Sequence, residues 1–153
     1  MSIDVGVIER VITIEASPET VYRLLTDPRE YVKWKGERAD LDARPGGMFR
    51  VFFANKTDIV AGRFVELVPP RRVVFTWGWE GNEHVPPGSS TVAIDLERAG
   101  SGTRVRLVHR DLPVPAIARH AEGWDFFLPR LIAAAQGNDP GSDSAHHTSG
   151  QNK

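Results

Sequence analysis

No cysteine occurs among the 153 residues, which excludes disulfides, thiolate catalysis and zinc sites built on sulfur. No apolar run approaches the roughly 20 residues that a membrane-spanning helix needs, so membrane insertion is not expected. The segment Met1 to Glu15 is interrupted by Asp4, Glu9 and Arg10 and lacks the apolar stretch of a signal peptide, which makes the cytoplasm the expected location. Neither sign of charge dominates: 19 Lys and Arg stand against 20 Asp and Glu. With a net charge of -1, no global field gathers nucleic acid or an anionic surface, and nucleic acid is not an expected partner. His84, His109, His120, His146 and His147 show no ligand spacing such as His-x-x-x-His, so no metal is expected. Nucleophile elbow, P-loop and dinucleotide fingerprints are all missing, and with them any sign of a cofactor or a catalytic residue set.

What remains is a pattern of strands closed by one helix. Val7 to Ile14 is rich in β-branched residues and reads as a first strand. Ser17-Pro18-Glu19 gives a capping hydroxyl, a proline suited to the first helical position and an acid favoured by the dipole. Asp27-Pro28-Arg29-Glu30 repeats that signal, so a second short helix carries Tyr31 and Trp34. Beyond residue 40 the chain alternates and turns. Met48 to Ala54 places Phe49, Val51 and Phe53 on one face, Asp58 to Val68 follows with ambiguous alternation, and Val73, Phe75, Trp77 and Trp79 share a face of the next strand. Gly81 to Gly88 reads as a rim loop. A final hairpin around Gly100-Ser101-Gly102 sets Val92, Ile94 and Leu96 against Val105, Leu107 and His109.

Residues 116–135 then form one long amphipathic pattern. Ile117, His120, Ala121, Trp124, Phe127, Leu128, Leu131 and Ala135 project onto the same face, and Pro129 is expected to bend the helix without ending it. Laid across an antiparallel sheet, that face closes either a filled core or a cavity. A single domain spanning residues 1–137 is expected, with a polar, disordered tail over 138–153.

Several strings in this order resemble a known family: Trp34, Asp42-Ala43-Arg44-Pro45-Gly46-Gly47-Met48-Phe49-Arg50, Gly62-Arg63-Phe64-Val65-Glu66-Leu67-Val68-Pro69-Pro70, Val73-Val74-Phe75-Thr76-Trp77, Gly102-Thr103-Arg104-Val105 and Gly123-Trp124. Over residues 7–136 the chain is similar to the activator of Hsp90 ATPase homologue 1-like (AHSA1-like) branch of the START/Bet v 1 (SRPBCC) superfamily. The resemblance implies an α+β helix-grip fold, a curved antiparallel sheet of about seven strands wrapped around a long C-terminal helix, with two short helices after the first strand and often an apolar cavity. It implies no shared catalytic motif.

The candidate ligand-binding residues are Phe49, Phe53, Phe75, Trp77, Trp79, His109, His120, Trp124, Phe127 and Leu128. Such aromatics either line a pocket for a hydrophobic or aromatic small molecule or simply fill the core. His109 follows Val105 and Leu107 in alternation and should point inward, offering a donor and an acceptor to a ligand, or else bonding the backbone at a strand end. Its replacement by phenylalanine separates the two: nearly unchanged stability for a pocket, a cost for a packed core, with the pocket outcome expected. His120 is placed at the cavity mouth. Three functions stay open. The leading one is small-molecule binding; a chaperone partner of the Hsp90 type is implied only by the resemblance; a cyclase or hydrolase would use His109 with an inward Glu66 or Arg63. Monomer and homodimer are equally compatible with the sequence.

Overall fold

Period-two alternation and β-branched residues build β1, Val5–Ile14, with Ile8 and Ile14 buried on its inner side. The computed structural model describes residues 5–53 and 57–141. Ser17 Oγ accepts from Thr20 N to start α1, Pro18–Thr26, and Asp27 Oδ1 accepts from Arg29 N to start α2, Pro28–Tyr31; a proline opens each helix. The second helix is shorter than the sequence implies. It stops at Tyr31, and Trp34 lies in the turn beyond it, where its indole donates to Leu24 O at 2.8 Å.

The strands β2 (Arg38–Leu41), β3 (Met48–Phe52), β4 (Ile59–Val68), β5 (Arg72–Trp77), β6 (Ser90–Ala99) and β7 (Gly102–Pro113) follow as an antiparallel meander. Sheet order is β1-β7-β6-β5-β4-β3-β2, so α1 and α2 carry the chain from one edge of the sheet to the other. The last hairpin has the expected register, with Val92, Ile94 and Leu96 opposite His109, Leu107 and Val105. In β4 the pairing runs Phe64 with Phe75 and then Glu66 with Val74, so one extra residue is inserted. That bulge switches the inward parity from Val60 and Phe64 to Leu67, the physical source of the ambiguous alternation. It also leaves Arg63 and Glu66 exposed, and Glu66 pairs outward with Arg72. Neither is an inward partner for His109.

The last element is α3, Val114–Ala135, which runs unbroken through Pro129. Arg10 holds it to β1 through a forked contact with Asp125 at 2.7 and 3.2 Å, and Gln136 Oε1 accepts from Glu15 N. Arg130 donates to Trp34 O and to the carbonyls of Pro140 and Gly141, so residues 138–141 turn back on the helix. The rest of the expected tail, with His146 and His147, lies outside the described residues, as does Ala54 at the expected end of β3.

Packing along α3 is uneven. Trp124, Phe127, Leu128, Leu131 and Ala135 are buried, whereas Ala116, Ile117 and Ala121 near the N-terminal end are only partly covered. The C-terminal half is therefore buried, and the N-terminal half is partly covered, with Ile117 lying against Gly6 of β1. Trp124 is the first fully buried residue along α3. Replacing it with alanine removes a large buried ring and is expected to cost about 3–5 kcal/mol, read as a lowered urea midpoint at unchanged slope. A loss below about 1 kcal/mol would show that the helix is held by other means.

Candidate functional site

A cavity of about 770 Å³ lies between α3 and the ends of β4 and β5. Its wall contains Phe53, Trp77, Trp79, His120, Trp124 and Phe127 from the expected set, together with Lys35, Ile59, Val85, Arg119 and Gly123. Phe49, Phe75, His109 and Leu128 are not on that wall. Phe49 and Phe75 stack at 4.1 Å with an interplanar angle of 16° in the packed core, and Leu128 is buried in the same apolar cluster. Alternation places all of these residues inward, but it does not say which of them meet open space.

A rim loop is folded onto the cavity by local chemistry. Asn82 Oδ1 accepts from His84 N and Val85 N, which turns the loop and drives Val85 into the core. At Gly78 an added Cβ would lie 1.7 Å from Pro86 O, so only glycine lets the loop return this close to the end of β5. Trp79 follows, bridging to Val60 and donating its indole N–H to His120 Nε2 at 3.0 Å. His120 Nδ1 lies 2.9 Å from Ala116 O, which can only accept, so this imidazole is neutral with its proton on Nδ1.

A second indole is paired in the same way deeper in the protein. Trp124 Nε1–H donates to His109 Nδ1 at 3.0 Å, His109 Nε2 meets Ser90 Oγ at 2.8 Å, and Ser90 Oγ–H donates to Trp77 O at 2.8 Å. An indole is a donor only, so His109 carries its proton on Nε2 and donates that N–H to the serine oxygen. Both ring nitrogens are thus used inside the protein, and His109 is fully buried. The expectation that His109 offers a donor and acceptor to a ligand is corrected: its alternation was read properly, but the inward direction at this position leads into α3 and not into the cavity. An acid–base role for His109 loses its free nitrogen for the same reason. The rings of His109 and His120 meet edge to face at 5.5 Å, so the two histidines join the core pair to the cavity pair.

Trp77 lies against His109, Trp124 and Trp79 with centroids 5.5, 5.5 and 5.7 Å away. Its Nε1 is buried without a hydrogen-bond partner among the described residues. Beneath this cluster sits a residue that sequence reasoning missed. Lys35 is 2% exposed, and its Nζ is 4.0 Å from the Trp124 ring, 4.2 Å from Trp77, 5.2 Å from Phe127 and 5.6 Å from Trp34. Lys35 makes further contacts beyond these rings. Its backbone is set by the turn after α2, where Lys35 N donates to Tyr31 O, and by Gly36, whose φ of 81° and crowding against Val51 suit glycine. Burying an ammonium costs several kcal/mol, and each close ring returns about 2 kcal/mol when desolvated. A lysine beside a tryptophan in a turn reads as solvent-exposed, and no periodicity spans the turn to say otherwise.

These charges and burial hold both histidines neutral. Burial pushes the His109 imidazole well below the ordinary histidine range, with His120 and the Lys35 ammonium adding to the effect. Burial likewise lowers His120, opposed by its hydrogen bond to Ala116 and assisted by Lys35 and Arg119. The unfolded chain binds protons that the fold refuses, so stability is full above pH 6.5 and falls as pH drops below it, most steeply on account of His109. His109→Phe is therefore expected to be destabilised by about 1–3 kcal/mol at pH 7.5, because Trp124 Nε1–H loses its acceptor. The variant should also show a shallower loss of stability from pH 6.5 to 5 in urea titrations. Unchanged stability together with an unchanged pH slope would place His109 outside this network.

Comparison with known proteins agrees with the architecture. The family model described as "Activator of Hsp90 ATPase homolog 1-like protein" matches residues 15–136. A solved AHSA1-like protein of Rhizobium etli is 40% identical, with a TM-score of 0.71 over 92% of this chain and 88% of that one. The Aha1 dimer of Colwellia psychrerythraea shares the fold, with a TM-score of 0.76 at 22% identity over 89% of this chain and 99% of that one. The activator of 90 kDa heat shock protein ATPase homolog 1 of Homo sapiens is 28% identical over 113 residues, which cover 73% of this chain and 31% of that protein. The chain thus spans about a third of the length of that relative. With its helix-grip architecture and a family match running from the end of β1 through α3, the chain belongs to the activator of Hsp90 ATPase homologue 1-like family.

Proposed function

We propose that this protein binds a hydrophobic or aromatic small molecule between the rim loop, the ends of β4 and β5 and the N-terminal half of α3. The observation that carries the reading is a cavity of about 770 Å³ walled on the helix by Ala116, His120, Trp124 and Phe127 and across from it by Phe53, Trp77 and Trp79. That volume lies within the range of small-molecule sites, and its wall combines indole and phenyl faces with a few polar groups, the usual composition of such sites. Phe53, Trp77, Trp79, His120, Trp124 and Phe127 are the proposed contact residues. Phe49, Phe75, His109 and Leu128 act from behind, by holding that wall in place.

A chaperone interaction is the second reading, favoured by the family and by the relative from Homo sapiens named for activating a heat shock protein ATPase. It predicts that the protein raises the ATPase rate of an Hsp90 from its own cell. Small-molecule binding predicts something different. Native mass spectrometry of the protein purified from its own cell should show a noncovalent adduct on the order of a few hundred daltons, the size that a cavity of this class holds. Titration of the ligand-free protein with planar apolar compounds should also change tryptophan fluorescence, since three indoles face the site. No adduct and no response across a broad aromatic panel, with the ATPase rate raised, would favour the chaperone reading instead.

A further inference from the structure

The cavity has a charge gradient, and it runs opposite to that of an ordinary surface cleft. Its acidic lining residues, Asp58, Glu80 and Glu83, are exposed or half-exposed at the rim, and Glu80 is already held by Arg50 at 2.7 and 2.9 Å. Lys35 lines the same cavity but is 2% exposed, with its ammonium against the faces of Trp77 and Trp124. The rings favour the charged form of the lysine, because their negative faces replace part of its lost hydration. His109 and His120 are neutral by their hydrogen bonds and add no compensating charge at that end. The inner wall is therefore cationic and aromatic together.

We propose that the ligand is an aromatic acid, bound with its ring against the wall formed by Trp77, Trp79 and Trp124 and with its carboxylate or phenolate directed at Lys35. This rests on the ligand-binding reading above and assigns its chemical class. An anion in a low-dielectric site gains far more from a buried ammonium than from an exposed one, and a charge-assisted hydrogen bond adds direction. A cationic ligand meets the opposite: the ring faces that would attract it are already occupied by the Lys35 ammonium, which repels it. Cation–π capture, the reading that a cage of Trp34, Trp77, Trp124 and Phe127 first invites, is thus filled from within the protein.

The test uses three probes of one shape: naphthalene-2-carboxylate, naphthalene-2-carboxamide and 2-naphthylmethylammonium, titrated calorimetrically into the wild-type protein and into Lys35→Met at pH 7.5. The wild type is expected to bind the acid at least about tenfold more tightly than the amide, the difference a charged hydrogen bond makes, and the amine most weakly. In Lys35→Met the acid should lose that advantage while the amide keeps its affinity, which also reports that the cavity is intact. Equal wild-type affinities for acid and amide, or a Lys35→Met variant that weakens both alike, would overturn the assignment to an acid while leaving small-molecule binding in place. Failure of all three to bind the wild type would overturn both. Should Lys35→Met not fold, judged by far-ultraviolet circular dichroism, the wild-type order of acid, amide and amine decides alone.

Discussion

Two hydrogen bonds from indole to imidazole join the helix to the sheet, and the site depends on them. Trp124 on α3 donates to His109 on β7, and Trp79 at the end of β5 donates to His120 on α3. Each bond crosses from one layer to the other, and each fixes a histidine in one tautomer because the indole has no other role to take. Their directions are opposed: one starts on the helix, the other on the sheet. Together with the edge-to-face contact of the two imidazoles, they tie α3 to the sheet beside the cavity. A helix held by apolar contact alone would slide toward the sheet to close such a space, since burial of apolar area carries no direction.

The aromatic cluster and Lys35 adjoin these bonds. Trp77 and Trp124 are far enough apart to hold an ammonium against both rings, and close enough to make it the inner limit of the cavity. Simple hydrophobic filling at residue 35 would be the more stable solution, because a buried charge rarely recovers its hydration. A methionine in the same turn would meet the same four rings without that penalty. A lysine there gives the inner wall a positive charge for the proposed acid to meet.

Much of the fold could be read from the sequence because its signals are local. Paired proline starts after Ser17 and Asp27 lie within a few residues of the helices they open, and the alternation of Val105, Leu107 and His109 sets the hairpin register. The losses are equally physical. Strand β2 is a four-residue edge strand with charged residues at Arg38 and Asp40, too short for periodicity to register. The bulge after Phe64 reversed the parity of β4. For the site, alternation separates inside from outside but not core from cavity. Six of the ten candidate residues reach the cavity wall; His109 is inward yet engaged on both nitrogens, and Lys35 was invisible because its burial comes from a turn and from rings contributed by β5 and α3.

The central claim is that neutral, tautomerically fixed histidines tie α3 to the sheet beside the cavity. Long-range proton–nitrogen correlation of the imidazole rings by NMR tests it most directly. The account predicts that His109 carries its proton on Nε2 and His120 on Nδ1, that both stay neutral as pH is lowered through 6.5, and that the Trp124 and Trp79 indole protons are protected from exchange. Averaged tautomers for both rings, titrating together in the ordinary histidine range with rapidly exchanging indole protons, would contradict it.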